Sequence, residues 1–110
     1  MTSETAAETF KAVADPTRRA ILDLLAANDR DVSDLLGHFS ISQPALSQHL
    51  RVLRDAKLVA PTRDGRRQVY RLIPEGLAEV YDWIAHYTRF WGERLDALGA
   101  VLDATPEEQT

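Results

Sequence analysis

Residues Ser40–Leu72 read SISQPALSQHLRVLRDAKLVAPTRDGRRQVYRL, and two different periodicities lie end to end in them. Ser42 stands where a helix would begin, because its hydroxyl can accept from a first-turn N–H that has no helical partner. Pro44 is harmless in that turn for the same reason. From there Leu46, Leu50 and Leu53 recur at i, i+4 and i+7, the spacing of one helical face. The pattern predicts a helix over about 42–56 whose apolar side packs on what precedes it. Gln43, Pro44, Ser47, Gln48 and His49 occupy its leading turns, and Arg51 and Arg54 follow. Beyond Lys57 the spacing changes to two strand-like runs, Leu58-Val59-Ala60 and Val69-Tyr70-Arg71-Leu72. Asp64-Gly65 reads as the turn between them, since a type I′ turn needs positive φ. Val69, with Tyr70, is expected to pin this hairpin to the core. Pro61 cannot donate to a ladder, so its strand should be an edge. The hairpin, about 58–72, carries Arg63, Arg66 and Arg67 at its tip.

The chain before this stretch reads as three helices. Ser3 can start a first one through roughly Ala14, with Phe10 and Val13 on its apolar side. Asp15-Pro16 starts a second, Asp as N-cap and Pro at the first helical position. It runs to Ala27, places Ile21, Leu22, Leu24 and Leu25 at core spacing, and ends at Asn28-Asp29. Asp31 can cap a short third helix, Val32–Phe39, with Val32, Leu35, Leu36 and Phe39 inward. After Pro74 an apolar seven-residue recurrence, Leu77, Ile84, Trp91 and Leu98, is joined by Val80, Tyr81, Tyr87 and Leu95. It predicts a helix over about 74–102 with more apolar surface than so small a fold can cover. The expected use of that face is dimerisation, with Phe10, Leu77, Tyr81, Ile84, Trp91, Leu95 and Leu98 at the interface.

A chain of 110 residues is one domain by length, here 1–110. With 45% apolar and 27% charged residues it has the composition of a soluble globular fold, mainly α with a small β-hairpin. No apolar run reaches the roughly 20 residues that span a bilayer, and the N-terminus lacks the pattern of a signal peptide. The expected location is cytoplasmic, with no membrane partner. The absence of cysteine excludes disulfides, thiolate metal sites and cysteine nucleophiles. A net charge of −4 conceals a strong asymmetry. Between Ser42 and Arg71 there are seven basic residues against two acidic ones, while the rest of the chain holds six against fifteen. Fields act within about a Debye length of ~8–10 Å, so a basic face on an acidic body can still dock on a polyanion.

A polar-fronted helix followed by a basic hairpin is the order of a winged helix-turn-helix, and it implies double-stranded DNA as partner. An α-helix fits the major groove, glutamine can bond an adenine edge bidentately, and serine suits bases or phosphates. Gln43, Pro44, Ser47, Gln48 and His49 are the residues expected at bases or adjacent phosphates. Arg51, Arg54, Arg63, Arg66 and Arg67 are expected on the backbone. Taken singly these could be solvated surface polars; their common arrangement is what favours DNA. His38 suits the C-terminal dipole of the third helix. Ser47 and His49 have no acidic orienter, and the five glycines form no phosphate cradle, so an enzyme is not expected.

The segments Ala14-Asp15-Pro16-Thr17-Arg18-Arg19-Ala20-Ile21-Leu22 and Ser42 to Leu50, with Leu53, Leu58-Val59 and the Asp64-Gly65-Arg66-Arg67 wing, resemble the ArsR/SmtB family of bacterial winged-helix repressors. The resemblance covers roughly residues 9 to 100. It implies the order α-α-α-α-β-β-α, a homodimer built through the first and last helices, and an imperfect inverted-repeat operator near its own promoter. It also implies an inducer, typically a metal ion, that weakens DNA binding. The family's third-helix thiolate site is a Cys-Val-Cys-Asp arrangement; Asp31, Val32, Ser33 and Asp34 stand there in this chain. The last-helix site of the family keeps only Asp82, His86 and Glu93 as weak candidates, a poor cage for zinc. The chain thus resembles the subgroup without the cysteine site, and neither a metal nor a cofactor is expected. Two alternatives remain: a dimeric module acting through a protein co-regulator, and a metal-responsive sensor using those last-helix groups.

Overall fold

The computed structural model describes residues 3–92 and residue 94. Glu93, Leu95 and Leu98 lie outside the described residues. The elements in order are α1 (Ser3–Val13), α2 (Pro16–Ala27), β1 (Arg30–Asp31), α3 (Val32–Leu36), α4 (Gln43–Asp55), β2 (Val59–Asp64), β3 (Arg67–Leu72), a 3₁₀ turn (Pro74–Leu77) and α5 (Ala78–Ala85). The chain divides into two compact units between Val80 and Tyr81. Among the described residues no helix is long and apolar enough to cross a membrane.

Side-chain caps set three of the helix starts. Asp15 Oδ2 accepts from Arg18 N at 3.0 Å, Asp31 Oδ1 from Asp34 N at 2.7 Å, and Ser42 Oγ from Ala45 N at 3.2 Å. Each satisfies one of the donors that a helix start leaves without a partner. Arginines close the opposite ends. Arg18 donates to the carbonyls of Ala12 and Lys11, Arg19 to that of Val13, and Arg30 to that of Leu24. These carbonyls lie in the last turns of α1 and α2, where a cation also complements the helix dipole.

The core of the first unit is assembled from Ile21, Leu22 and Leu25 of α2, Leu35 of α3, the Leu46–Leu50–Leu53 stripe of α4, and Leu58, Val59 and Tyr70 of the hairpin. Burying one such leucine contributes about 1.5–3 kcal/mol, so the α4 stripe fixes the rotation of that helix. On α1 the closed-off residues are Thr9 and Ala12, whereas Phe10 and Val13 are half-buried. The third helix ends at Leu36, short of the expected Phe39. His38 and Phe39 there donate back to Leu35 and Leu36, i→i−3 bonds that tighten the chain out of α geometry.

The sheet is three-stranded, with order β1-β3-β2 and both pairings antiparallel. The two-residue β1 was not expected; it docks Arg30 and Asp31 against Tyr70 and Val69. Pro61 does lie on an edge strand. The turn is displaced by one residue from the expected position: Asp64 pairs with Arg67, leaving Gly65 and Arg66 as the loop. Gly65 has φ +66°, and Arg66 does not share a positive φ, the signature of a type II′ rather than a type I′ turn. Tyr70, not Val69, is the residue that pins β3 to the core.

Lys57 takes φ +63° at the end of α4. Lys57 N bonds to Arg54 O at 2.9 Å and Leu58 N to Leu53 O at 2.9 Å, the paired bonds of a Schellman motif. Buried Leu53 and Leu58 supply its hydrophobic contact, and this reversal delivers Leu58 and Val59 straight into the wing. Ile73 N returns to Leu58 O at 2.8 Å, and Gly76 then passes so close that a Cβ there would sit 2.4 Å from the carbonyl oxygen of Lys57. Leu77, expected on the partner face, is partly buried against the same core.

The expected continuous helix over 74–102 is also interrupted within the described residues. It opens as 3₁₀, and after α5 a turn at 86–87 precedes further helix at 88–92. The His86 ring donates through Nδ1 to Asp82 O at 2.8 Å, taking the acceptor that its own N–H would use in an α-helix. His86 N and Tyr87 N turn instead to Trp83 O and Ile84 O.

Lys57→Gly should stabilise the fold by about 0.5–1 kcal/mol, because glycine reaches the left-handed region without the steric cost that lysine bears. The expected readout is a rise of a few degrees in the melting temperature followed by circular dichroism. The caps predict a pH response. Asp15 lies below the ordinary aspartate pKa chiefly because Arg18 N–H donates to it, and Asp31 chiefly because Asp34 N–H does. A depressed folded-state value means that each carboxylate stabilises fully above the ordinary value and loses its contribution as pH falls through the folded one. The melting temperature should therefore fall below about pH 4. Asp15→Asn and Asp31→Asn, which retain a capping oxygen but cannot ionise, should make that fall shallower.

Candidate nucleic-acid interface

The first turns of α4 and the wing tip face each other across an open groove of about 460 Å³. Gln43 and Ser47 enter it from α4, and Arg63, Arg66, Arg67 and Gln68 from the hairpin. Asp31, Val32, Ser33 and Leu36 form its floor at the start of α3. The α4 leucine stripe is what turns Gln43 and Ser47 outward, and the hairpin brings Arg63 near the end of β2, Arg66 of the turn and Arg67 at the start of β3 together at its tip.

Of the other expected contacts, Pro44, Gln48, Arg51 and Arg54 are exposed on α4 but do not line this groove. Arg54 Nε lies 4.0 Å from Asp55 Oδ1, both side chains half exposed or more, a pair that water screens and that leaves the guanidinium available. Arg63 and Arg66 are exposed at the wing tip. Arg67 differs, because its Nε donates to Asp31 Oδ2 at 2.8 Å.

His49 does not join the groove. Arg18 NH1 lies 3.2 Å from its Nδ1, Asp15 Oδ2 is 4.0 Å away, and the imidazole is only 21% exposed. Arginine can only donate, so Nδ1 accepts and the ring proton sits on Nε2. In this structure His49 packs instead against the α1–α2 junction, tying α4 to it where Arg18 also holds the end of α1. Residue 49 falls on this side because it is two positions past Ser47, more than half a turn around the helix.

Asp31, Val32, Ser33, Leu36 and Gln68 are groove residues that sequence reading did not find, Asp31 and Gln68 being the ones with polar side chains long enough to reach a wing arginine or a ligand. Asp31 carried only a capping signal, and nothing local to it points 36 positions ahead to Arg67. Gln68 lies two positions before buried Tyr70, so the strand period alone would have put it on the core side; it is exposed because it stands near the tip, opposite Arg63, beyond the core.

Of the last-helix metal candidates, Asp82 and His86 are described and Glu93 lies outside the described residues. His86 Nδ1 is engaged by the Asp82 backbone carbonyl, and among the described residues no three acidic or histidine side chains gather around a common point. In the second unit the apolar face is open: Tyr81 is 72% exposed, Trp83 51% and Phe90 61%. Trp83 meets Tyr87 edge-on at 5.6 Å, and Tyr87 stacks with Trp91 at 6.2 Å, a continuous aromatic ridge.

Known proteins share this arrangement. The model of the bacterial regulatory protein, arsR family, matches residues 15–60, which run from the N-cap of α2 into β2. The chain is 38% identical over 99 residues to the HTH-type transcriptional regulator Rv2034 of Mycobacterium tuberculosis, covering 90% of each. It is 40% identical over 78 residues to the transcriptional repressor SdpR of Bacillus subtilis, covering 71% of this chain and 87% of that protein. The solution structure of a homodimeric winged helix-turn-helix DNA-binding domain from Mycobacterium bovis superposes with a TM-score of 0.64 at 27% identity, over 81% of this chain and 84% of that one. The wing, the caps and these relatives agree: the chain belongs to the ArsR family of bacterial transcriptional regulators and has its winged helix-turn-helix fold.

Proposed function

We propose that the protein is a sequence-reading repressor that binds double-stranded DNA as a two-fold homodimer in the cytoplasm and catalyses no reaction. The observation that carries this reading is the groove itself, which sets Gln43 and Ser47 beside Arg63, Arg66 and Arg67. Glutamine and serine on the leading turns of α4 supply base-edge donors and acceptors in a major groove, while the wing arginines supply phosphate contacts. The α4 N-terminus adds the partial positive charge of its free N–H groups. Arg51 and Arg54, exposed further along α4, extend the phosphate-contacting surface, with Pro44 and Gln48 at its edge.

The aromatic ridge of the second unit supports the homodimer. Trp83, Tyr87, Phe90 and Trp91 pack into an exposed aromatic ridge with exposed Tyr81 on α5, and a second copy of the chain is its simplest cover. Ile84, Trp91 and, outside the described residues, Leu95 and Leu98 would extend that interface, with Phe10 from α1. Two-fold symmetry would place two α4 helices in successive major grooves about 34 Å apart, and an inverted-repeat operator follows from that symmetry. The single functional module is then the whole chain, paired.

Fluorescence anisotropy on labelled DNA from the gene's own upstream region, against a scrambled duplex at two salt concentrations, tests the reading. The native fragment should bind more tightly and weaken steeply with salt. Gln43→Ala should cost about 1–3 kcal/mol at one base pair and relax preference there. Arg66→Ala should weaken all duplexes alike and make the salt slope shallower by about 0.9 for each phosphate no longer neutralised. Equal affinity for both duplexes, untouched by either substitution, would refute the docking face; binding restored only by a neighbouring gene product would favour a co-regulator instead.

A further inference from the structure

Asp31 is the one acidic residue lining a groove that otherwise presents three arginines. Both of its carboxylate oxygens are engaged: Oδ1 accepts from Asp34 N at 2.7 Å and Oδ2 from Arg67 Nε at 2.8 Å. The first bond fixes the carboxylate to the backbone of α3, and the β1–β3 pairing, Asp31 opposite Val69, fixes that backbone to the wing strand. Arg67 is thus gripped from a point that does not move with the wing tip. Only its Nε is used. The terminal nitrogens have no protein partner among the described residues, and the side chain is 60% exposed.

A guanidinium presents its donors along two edges, and a carboxylate on the Nε edge leaves the other edge oriented and available. Arginine on a hairpin tip ordinarily samples many rotamers, and ordering it on binding costs conformational entropy. Here that ordering exists before any ligand arrives. The carboxylate engages Nε alone, so it holds the cation without occupying its terminal donors.

We propose that Asp31 is a positioning residue for DNA binding, holding Arg67 with its outer edge set for a backbone phosphate. The proposal rests on the DNA-binding reading above and names how one phosphate contact of that site is prearranged.

The test compares the intact protein with Asp31→Asn, Arg67→Ala, the double variant and Arg66→Ala, by anisotropy on the labelled upstream duplex across a salt series. Asparagine retains an N-cap oxygen but loses the carboxylate's contribution, so the melting temperature at neutral pH should fall modestly with the fold intact; Asp31→Ser, another capping residue, repeats the test if asparagine does not fold. The expected result is that Asp31→Asn weakens binding by roughly tenfold, although it removes a negative charge. Its salt slope should become shallower by about 0.9 per wing, as for Arg67→Ala. The double variant should be no weaker than Arg67→Ala alone. Tighter binding by Asp31→Asn, or an unchanged salt slope while Arg66→Ala still weakens binding, would overturn the positioning role and leave the DNA-binding reading standing. An intact protein with no salt-dependent affinity for any duplex would overturn both.

Discussion

Three leucines on one face of a 13-residue helix, Leu46, Leu50 and Leu53, decide what α4 can offer to a ligand. All three are buried against α2, α3 and the wing, and each resists exposure by about 1.5–3 kcal/mol. Turning α4 by one residue would lift these side chains toward water and drive Gln43 or Ser47 into a core with no partner for their polar atoms. An unsatisfied buried polar group adds about 1–3 kcal/mol to that cost. The outward face is therefore a consequence of the inward one. Polar residues at positions 43 and 47 need no interaction of their own to stay aimed at the groove.

The same core governs the wing. The left-handed reversal at Lys57 places Leu58 next to Leu53, and the hydrogen bond from Ile73 back to Leu58 closes the hairpin's base over it. With the base pinned by Leu58, Val59 and Tyr70, the register runs outward without slipping to Gly65. A one-residue slip would turn Tyr70 to solvent, which is why a hairpin with an exposed, highly charged tip can still hold one register.

Much of this was legible in the sequence because it is local. Asp15, Asp31 and Ser42 announce helix starts through chemistry that operates across three residues, and all three cap as expected. The leucine stripe and the edge position of Pro61 are likewise consequences of period and donor count. What escaped depends on partners distant in sequence or on competition between nearly equal local states. His49 looked like a groove residue until Arg18, 31 positions away, proved to hold it. Asp64-Gly65 is a good turn dipeptide, yet the buried pairing of Tyr70 with Pro61 sets the register and moves the loop to Gly65-Arg66. The break after α5 turns on whether the ring or the backbone of His86 takes one carbonyl, a choice that apolar periodicity does not encode.

Counting arginines along the chain therefore overstates some of them as ligands and understates others as structure. Arg18, Arg19 and Arg30 meet carbonyls in the last turns of α1 and α2 within 3.0 Å, adding side-chain donors where the helical ladder runs out or is held only by longer backbone bonds. Arg63 and Arg66 stand at the tip of the β2–β3 hairpin, where both are exposed. The residue type is the same; the difference is the supply of acceptors. Near a helix C-terminus a guanidinium is drawn into the fold, and beyond a completed hairpin it is left charged, solvated and available. Arg67 lies between these cases, one nitrogen held by Asp31 and the rest outward. That gradient runs from the α1–α2 junction to the wing tip. It separates the arginines that hold the domain together from those able to hold an anion, and it explains how a chain of net charge −4 can still present a basic groove.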